Sequence, residues 1–197
     1  MAKPYKQFTE ERLDGEIITQ CRNGDKQAYR LLIDRYKDTI YSTALRFTRD
    51  PSTAEEVTQE TFVKAWKYLD RFEGRSKFST WLISIAVNKA KDMIKDKHRA
   101  VNTGDLDNGN ETSFFQSHTI EGPEETLMND ELGLQLQRLI DALPALYKEA
   151  FVLRHVELLS YEEISGISKI SIEAVKMRVF RAREILKKQF YEEDHDG

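Results

Sequence analysis

The chain has few residues of the kinds that form covalent or metal cross-links. Its 197 residues include one cysteine, Cys21, which excludes an internal disulfide. The four histidines have no ligand spacing to one another or to Cys21, so we expect no metal site and no cofactor. No stretch approaches the roughly 18 consecutive apolar residues of a membrane-spanning helix, and no secretory signal is visible after Met1. We therefore expect a cytoplasmic protein that does not insert into membranes.

Lys and Arg are missing from one long stretch and concentrated in two others. Residues 101–134 contain eight acidic residues and no basic ones, a net charge of -8. Residues 62–99 carry ten cations and four anions, which gives +6, and residues 169–189 carry seven and two, which gives +5. Two basic blocks in a chain of net charge -4 indicate two separate contacts with nucleic acid. The alternative is that both blocks are solvated helix faces without a ligand.

The acidic stretch also predicts a domain boundary. From Val101 to Gly122 it is rich in Gly, Asn, Asp, Ser and Thr, lacks helical periodicity, and is followed by Pro123. We predict an all-α protein with two small helical domains, at residues 1–100 and 135–190. A flexible acidic linker at 101–134 joins them, and an acidic tail follows at 191–197. Phe114–Phe115 in this linker either docks on a surface or forms a local cluster, and the sequence favours neither.

The C-terminal basic block has the pattern of a helix-turn-helix. Ser160 and Glu163 have the S-x-x-E spacing of a capping box, and Ser171 can cap a second helix. In that second helix an apolar stripe recurs at steps of three and four: Ile172, Val175, Val179, Ala182 and Leu186. Four cations lie off the stripe: Lys176, Arg178, Arg181 and Arg183. A basic second helix of this kind suits the major groove of duplex DNA.

The N-terminal block is helical in its apolar pattern. Helical spacing runs from Gln27 to Phe47 and ends at Asp50-Pro51. Ser52 with Glu55 predicts a second capping box, and a third helix is expected from Ser79 or Thr80 to Arg99.

Aromatic and cationic residues alternate around a glycine from Tyr68 to Trp81. Aromatic faces stack on unpaired bases with about 1–3 kcal/mol per base, and cations neutralise the strand backbone. We place Phe62 and Trp66 in the core. Phe72, Phe78 and Trp81 stay open between core and base stacking, and the surrounding cations favour binding.

These motifs together resemble the bacterial RNA polymerase sigma factors of the extracytoplasmic-function (ECF) group. In the first domain the resemblance is carried by residues 54–62 and 72–82, with Asn88, Asp92 and Arg99. In the second it is carried by Leu143-Pro144 and by residues 160–164 and 175–183. Each motif alone is weak. Their occurrence in the expected order from about Asn23 to Lys188 is specific.

The resemblance implies a non-enzymatic role in transcription initiation. The first domain would bind the clamp of the largest subunit of core RNA polymerase through Glu55, Glu56, Gln59, Glu60 and Phe62. It would capture the melted -10 promoter element through Phe72, Arg75, Ser76, Lys77, Phe78, Trp81, Asn88, Lys91, Lys95 and Arg99. The second domain would meet the polymerase flap and read the -35 element of promoter DNA through Lys169, Ser171, Glu173, Lys176, Met177, Arg178, Phe180 and Arg181. The resemblance also implies an anti-sigma factor as a partner.

Several positions depart from the family's usual pattern, including Glu56, which stands where Asp is commoner, and three positions of the helix-turn-helix. Lys169 stands where glycine is frequent, and a positive φ there would cost a lysine about 1 kcal/mol. Ala174 and Met177 replace the usual Thr and Ser, which alters the expected contacts with the -35 element.

Two other classes of protein fit part of the sequence. A stand-alone helix-turn-helix transcription regulator needs only the C-terminal block and leaves residues 72–99 unexplained. An enzyme acting on nucleic acid would need a carboxylate cluster, a Cys/His set or a glycine-rich phosphate loop, and the sequence has none of these.

Overall fold

A computed structural model of the chain describes residues 4–102 and 130–193. Over these residues the chain forms eight α-helices and no strand, which confirms the all-α prediction. The chain divides into two compact units, one within residues 1–103 and one within residues 104–197. Within the described ranges no helix is both long enough and apolar enough to cross a membrane.

The first unit is a bundle of four helices: α1 (Pro4–Arg22), α2 (Lys26–Thr48), α3 (Pro51–Lys67) and α4 (Phe78–Asn102). A 3-10 turn at Leu69–Arg71 follows α3. Helices α2, α3 and α4 pack against one another in pairs, and α1 packs on α2. Helix α4 is the most deeply enclosed, because residues from several of its faces are buried. They are Phe78, Thr80, Leu82, Ile83, Ile85, Ala86, Val87 and Ala90.

An aspartate begins each of two helices in this unit. The Asp25 carboxylate accepts hydrogen bonds from the backbone N–H groups of Gln27 (2.9 Å) and Ala28 (3.2 Å) at the start of α2. Asp50 caps α3 by accepting from the Thr53 N–H at 3.2 Å, with Pro51 at the first helical position. The predicted Ser52–Glu55 capping box is therefore wrong. Proline is favoured at the first helical position, which places the cap on the residue before it.

Asp50 also ties the start of α3 to the last turns of α4. The Lys97 ammonium lies 3.0 Å from the Asp50 carboxylate and donates to the Thr53 hydroxyl as well. Hydrogen bonds from Thr53 and Lys97 lower the pKa of Asp50 to about 2. The ionised carboxylate thus serves as a helix cap and as a contact between two helices.

The second unit contains α5 (Asp130–Ala142), α6 (Ala145–Phe151), α7 (Tyr161–Ser168) and α8 (Ile172–Glu193). One turn of π-helix, Val152–Val156, continues from α6. Helix α8 packs against α5, α6 and α7. Helix α5 begins inside the predicted linker 101–134, whereas residues 103–129, with Phe114–Phe115, and residues 194–197 lie outside the described residues.

The core of the second unit contains charged residues that the apolar pattern did not reveal. Lys148 is 2% exposed, and its ammonium pairs with the Asp141 carboxylate. The neighbouring Glu149 is also buried, and its carboxylate accepts a hydrogen bond of 2.7 Å from the Ser168 hydroxyl. Buried charges of this kind need such partners, because an unpaired one carries the full cost of its lost hydration.

Two substitutions of Asp50 separate its roles as cap and as ion-pair partner. Asp50→Ala removes both and should lower the free energy of unfolding of the first unit by about 1 kcal/mol near neutral pH. Asp50→Asn keeps an oxygen for the Thr53 N–H and loses only the charge, so we expect a smaller loss. Urea unfolding followed by circular dichroism measures both. Asp38→Ala, an exposed aspartate on α2, is the control.

The effect of Asp50→Asn should depend on pH. The pKa of Asp50 in the folded state, about 2, lies below its ordinary value of 3.8. The ionised carboxylate therefore stabilises the fold above about pH 4, and this contribution is lost as the pH falls towards 2. The difference between the wild type and Asp50→Asn should shrink over that range. A difference that stays constant from neutral pH to pH 2 would contradict the ion-pair role.

Candidate nucleic-acid interface

Helices α7 and α8 form the predicted helix-turn-helix. The Ser160 hydroxyl accepts a hydrogen bond from the Glu163 N–H (3.1 Å), and the Glu163 carboxylate accepts one from the Ser160 N–H (2.8 Å). This confirms the capping box. Lys169 ends α7 with a φ of 55°, and the Ser171 hydroxyl caps α8 by accepting from the Ala174 N–H at 3.2 Å. The cap at Ser171 was expected from the sequence, and the positive φ at Lys169 is the conformation whose cost for a lysine was noted there.

Helix α8 has one buried face and one cationic face. Val175, Val179, Ala182 and Leu186 are buried as predicted, and Ile172 at the first turn is half-buried. On the outer side Lys176, Arg181 and Arg183 are exposed, while Arg178 is half-buried. Met177 and Phe180 are 56% and 55% exposed. Because large apolar side chains gain from burial, two of them exposed among cations indicate a surface that a ligand covers.

The residues predicted to read duplex DNA lie together at the start of α8. Lys169, Ser171 and Glu173 are exposed and surround the turn that leads into the helix. The remaining five lie between Lys176 and Arg181. At 1.5 Å per residue, Ile172 to Arg181 spans about 14 Å along the axis, a length of helix that can lie along a major groove, which admits an α-helix.

A stack of two cations on one aromatic ring adjoins this surface, and the sequence analysis missed it. The Arg154 guanidinium lies 4.7 Å from the centre of the Tyr161 ring, and the Lys176 ammonium lies 5.8 Å from the same ring. Arg154 also donates a hydrogen bond of 2.7 Å to the Leu159 carbonyl. The sequence shows a basic residue, Arg154, seven positions before Tyr161, but only the fold brings the two side chains together.

Leu158 precedes this capping box with a backbone that leucine rarely adopts. Its φ is 57°, and 72% of the residue is exposed. A left-handed backbone costs a non-glycine residue roughly 1–2 kcal/mol. Two residues with positive φ, Leu158 and Lys169, therefore bracket α7.

In the first unit, the aromatic residues around Gly74 form one cluster. The Phe72 ring centre lies 5.5 Å from that of Phe78 and 5.1 Å from that of Trp81, and Phe78 lies 5.6 Å from Trp81. Phe72 and Trp81 are half-buried. Phe78 is 3% exposed, with the Tyr36 ring 5.8 Å away on its inner side. Phe78 was predicted to be one of the base-contacting residues, and this is corrected: Phe78 is a core residue. It begins α4, and its side chain points towards α2.

The polar residues of this loop lie on its outer side. Gly74 takes a φ of 71°, which suits glycine in a tight turn, and Arg75 pairs with Glu73 across it at 2.5 Å. Arg75 and Lys77 are exposed, and the half-buried Ser76 donates to the Lys77 carbonyl at 3.3 Å. The loop therefore presents cations beside the half-buried rings of Phe72 and Trp81.

The predicted face of α4 continues from this cluster. Asn88 is half-buried and donates a hydrogen bond of 2.7 Å to the Ser84 carbonyl, and Lys91 is half-buried. Lys95 and Arg99 are exposed, and Arg99 lies 3.6 Å from Asp96. Steps of three and four residues place these side chains on the same face of the helix as Trp81. The polar surface thus runs from the loop along the length of α4.

Helix α3 presents an exposed face of mixed chemistry. Glu55, Glu56 and Gln59 are exposed, as is Glu60, whose carboxylate lies 2.9 Å from the Lys89 ammonium. Phe62 is 6% exposed, which confirms its predicted place in the core and corrects the surface contact that the resemblance implied.

Two apolar residues of α3 that the sequence analysis missed are exposed instead. Val63 is 68% exposed, and Trp66, predicted to be in the core, is 37% exposed with one face 4.8 Å from the Tyr29 ring. The sequence did contain a sign of this exposed face, because Val63 and Trp66 follow Gln59 at distances of four and seven residues, which is helical spacing. Among the described residues no group of three or more His, Cys, Asp or Glu can hold a metal ion.

Comparisons with known proteins agree with this arrangement. Residues 32–100 match the family model of Sigma-70 region 2, and residues 133–186 match that of Sigma-70, region 4. The chain is 35% identical to the RNA polymerase sigma-H factor of Pseudomonas aeruginosa over 185 residues, which cover 92% of this chain and 95% of that protein. It is 36% identical to the ECF RNA polymerase sigma-E factor of Escherichia coli strain K12, over 91% of this chain and 95% of that protein.

Solved structures have the same fold. The sigma factor RpoE of Bartonella quintana, in a complex with the anti-sigma factor NepR, matches with a TM-score of 0.67 and 24% identity, over 83% of this chain and 96% of that chain. CnrH, in a complex with the cytosolic domain of CnrY, matches with a TM-score of 0.64 and 24% identity, over 94% of this chain and 99% of that chain. With both regions matched in order and full-length relatives above 30% identity, this chain belongs to the ECF group of RNA polymerase sigma factors.

Proposed function

We propose that this ECF sigma factor directs core RNA polymerase to promoters by reading a -35 element with its second unit and capturing the melted -10 element with its first. The observation that carries this proposal is the presence of two separate cationic surfaces, one in each matched region. Members of the family are initiation factors rather than catalysts. We therefore attribute the opening of DNA to the free energy of binding, and this chain makes or breaks no covalent bond.

Three features of α8 support its assignment to the -35 duplex. Its cations lie opposite the buried stripe, so a whole helix face is free to enter a groove. The exposed Phe180 and Met177 can contact thymine methyl groups, and Arg181 can donate to the acceptor edge of guanine. The cations on the Tyr161 ring, Arg154 and Lys176, adjoin this face, and we assign them to phosphates beside the groove. In this assignment these two cations set the position of the helix, and the central residues of the face read the sequence.

The loop around Gly74 and the outer face of α4 suit a single strand. Phe72 and Trp81 each keep part of a ring exposed beside Arg75 and Lys77, which combines a stacking surface with backbone neutralisation. Lys95 and Arg99 continue the cationic track along α4. Capturing unpaired bases offsets the few kcal/mol that unstacking them costs, so opening needs no nucleotide hydrolysis. Phe78 supports this surface from the core.

Helix α3 is assigned to the polymerase clamp. Its exposed Glu55, Glu56 and Gln59 provide polar contacts, as predicted. We add Val63 and Trp66, because they continue the same helical face beyond Gln59 with exposed apolar area. Aromatic residues are enriched at interfaces, and Trp66 adds such a side chain at the C-terminal end of this face. The flap is assigned to the second unit.

We also propose that an anti-sigma factor holds this chain inactive in the cytoplasm. The support is that the RpoE structure with the same fold is a complex with the anti-sigma factor NepR. A partner that covers the clamp surface or the DNA surfaces would prevent assembly of the holoenzyme.

Transcription from fragmented genomic DNA of the source bacterium tests the proposed function directly. Purified core polymerase is assayed with and without this chain, and transcript starts are mapped. We expect new starts that share two upstream elements at a fixed spacing. If the chain binds core polymerase and creates no starts, or does not bind it, the proposal fails. Tight, sequence-specific duplex binding by the chain alone would instead favour the stand-alone regulator, which nothing in the first unit supports.

Replacing Arg181 tests how the -35 element is read. Arg181→Ala removes an exposed donor from the outer face of α8 and should reduce transcription from the mapped promoters roughly tenfold, as expected for one lost base contact. Arg138→Ala, which removes an exposed arginine from α5, is the matched control. On templates mutated at the contacted base pair, the wild type and Arg181→Ala should become equal. An undiminished difference on those templates would exclude a base contact.

Replacing Trp81 tests strand capture. Trp81→Ala should lower permanganate reactivity of the -10 thymines about tenfold, the loss expected for one stacked base, while affinity for core polymerase stays within about twofold. Trp81→Phe keeps an aromatic face and should retain most of the opening. Thermal unfolding of each variant is the control, because Trp81 packs on Phe72 and Phe78. Normal opening by a Trp81→Ala variant that remains folded would make Trp81 a core residue only.

A further inference from the structure

The last residue of α1 contacts the loop around Gly74, although 47 to 50 positions separate them in the sequence. One terminal nitrogen of Arg22, Nη2, donates a hydrogen bond of 2.9 Å to the Leu69 carbonyl and a second to the Phe72 carbonyl. Leu69 begins the 3-10 turn and Phe72 directly follows it. The Phe72 N–H also donates to the Leu69 carbonyl, at 3.1 Å. Arg22 therefore fixes the backbone at the point where the loop begins.

The same helix also reaches the other end of the loop. Asp14 in α1 is 4% exposed, pairs with Arg35 and accepts a hydrogen bond from the Tyr36 hydroxyl, both in α2. The Tyr36 ring lies 5.8 Å from the ring of Phe78, the residue at which the loop ends and α4 begins. Contacts from α1 thus reach the two ends of the segment 72–78, directly at Phe72 and through Tyr36 at Phe78.

We propose that Arg22 is a positioning residue for strand capture, acting through the backbone of Phe72 without touching DNA. Fixing the Phe72 carbonyl restrains the Phe72 ring, which is half-buried and lies 5.1 Å from the half-buried ring of Trp81. Arg22 precedes residues 32–100, so the region 2 match does not assign it a role. The inference rests on the proposed capture of the -10 strand by this loop.

The geometry distinguishes this role from a simple contribution of charge. A guanidinium is planar and holds its donors in fixed directions, so a single nitrogen can lie between two carbonyls. A lysine keeps the charge, but its side chain is shorter and its ammonium donors rotate freely, so it does not hold the two carbonyls in one fixed geometry. If Arg22 acted on DNA phosphate, Arg22→Lys would restore function; if it acts on the two carbonyls, Arg22→Lys should stay several-fold below the wild type.

The first measurement is hydrogen exchange by mass spectrometry on the full chain, which needs no promoter. In Arg22→Ala the backbone amides of residues 69–78 should exchange about fivefold faster, because local opening there loses its restraint. Helices α2 and α8 should be unchanged. Arg30→Ala, which removes an arginine with an 80% exposed side chain from α2, is the control. Unchanged exchange at 69–78, or acceleration across the whole first unit, would overturn the proposal.

The second measurement is binding of a single-stranded oligonucleotide carrying the mapped -10 element to holoenzyme. We expect Arg22→Ala to weaken binding about tenfold, the effect of losing hydrogen bonds from a charged donor, with affinity for core polymerase unchanged. The slope of log Kd against log salt concentration should stay the same. A slope smaller by about 0.7 would show a lost phosphate contact, and the positioning role would be wrong.

The two measurements separate failure of this inference from failure of the proposed function. If wild-type holoenzyme captures no strand, the proposed function fails, while the exchange result still reports whether Arg22 restrains the loop. If Arg22→Ala loosens residues 69–78 and strand binding is unaffected, Arg22 is structural only and the positioning role is overturned. Faster local exchange together with weaker binding at constant salt slope supports it.

Discussion

The burial of α4 is the constraint on which the first unit depends. Leu82, Ala86, Val87 and Ala90 are buried in the contacts of α4 with α2 and α3, so the N-terminal half of this helix is held firmly. Its N-terminal end carries the aromatic cluster, and its C-terminal half carries the exposed cations. A strand laid along this surface would meet a rigid base, which reduces the entropy lost on binding. The apolar core thus sets the geometry of a polar site.

In the second unit, too, the buried face of a helix sets the geometry of its exposed face, and here the helix is α8. Its buried stripe of Val175, Val179 and Ala182 fixes how the helix is rotated, and that rotation determines which residues face outward. Exposed Phe180 and Met177 are costly on a free surface but suited to a groove lined with methyl groups. In the proposed function, both units separate stability from recognition, because buried and exposed faces of the same helix carry the two roles.

The ion pairs and helix caps of these units contribute to stability in different ways. Asp50 is a cap and a partner of Lys97 on a partly exposed surface, where solvent screens the charge and the capping hydrogen bond contributes most. Lys148 and Asp141 form a pair in the core, where removing one partner would leave the other buried and unpaired. Arg22 differs from both, since its partners are backbone carbonyls and its effect is on the conformation of a loop.

Local patterns in the sequence determined the helices, the capping box at Ser160, the stripe on α8 and the two basic blocks, because each depends on residues a few positions apart. They misplaced the cap of α3 by two residues, since Pro51 shifts the start, and they put the exposed Trp66 in the core, whereas they placed Phe62 in the core correctly and only the resemblance put it on the surface. The burial of a residue on α3 depends on which neighbours cover the helix. Three contacts could be found only in the tertiary structure: Arg22 with Phe72, Arg154 with Tyr161 and Lys148 with Asp141. The two partners of each contact lie on separate elements, and hydrophobic periodicity does not tell which polar groups the packing brings together.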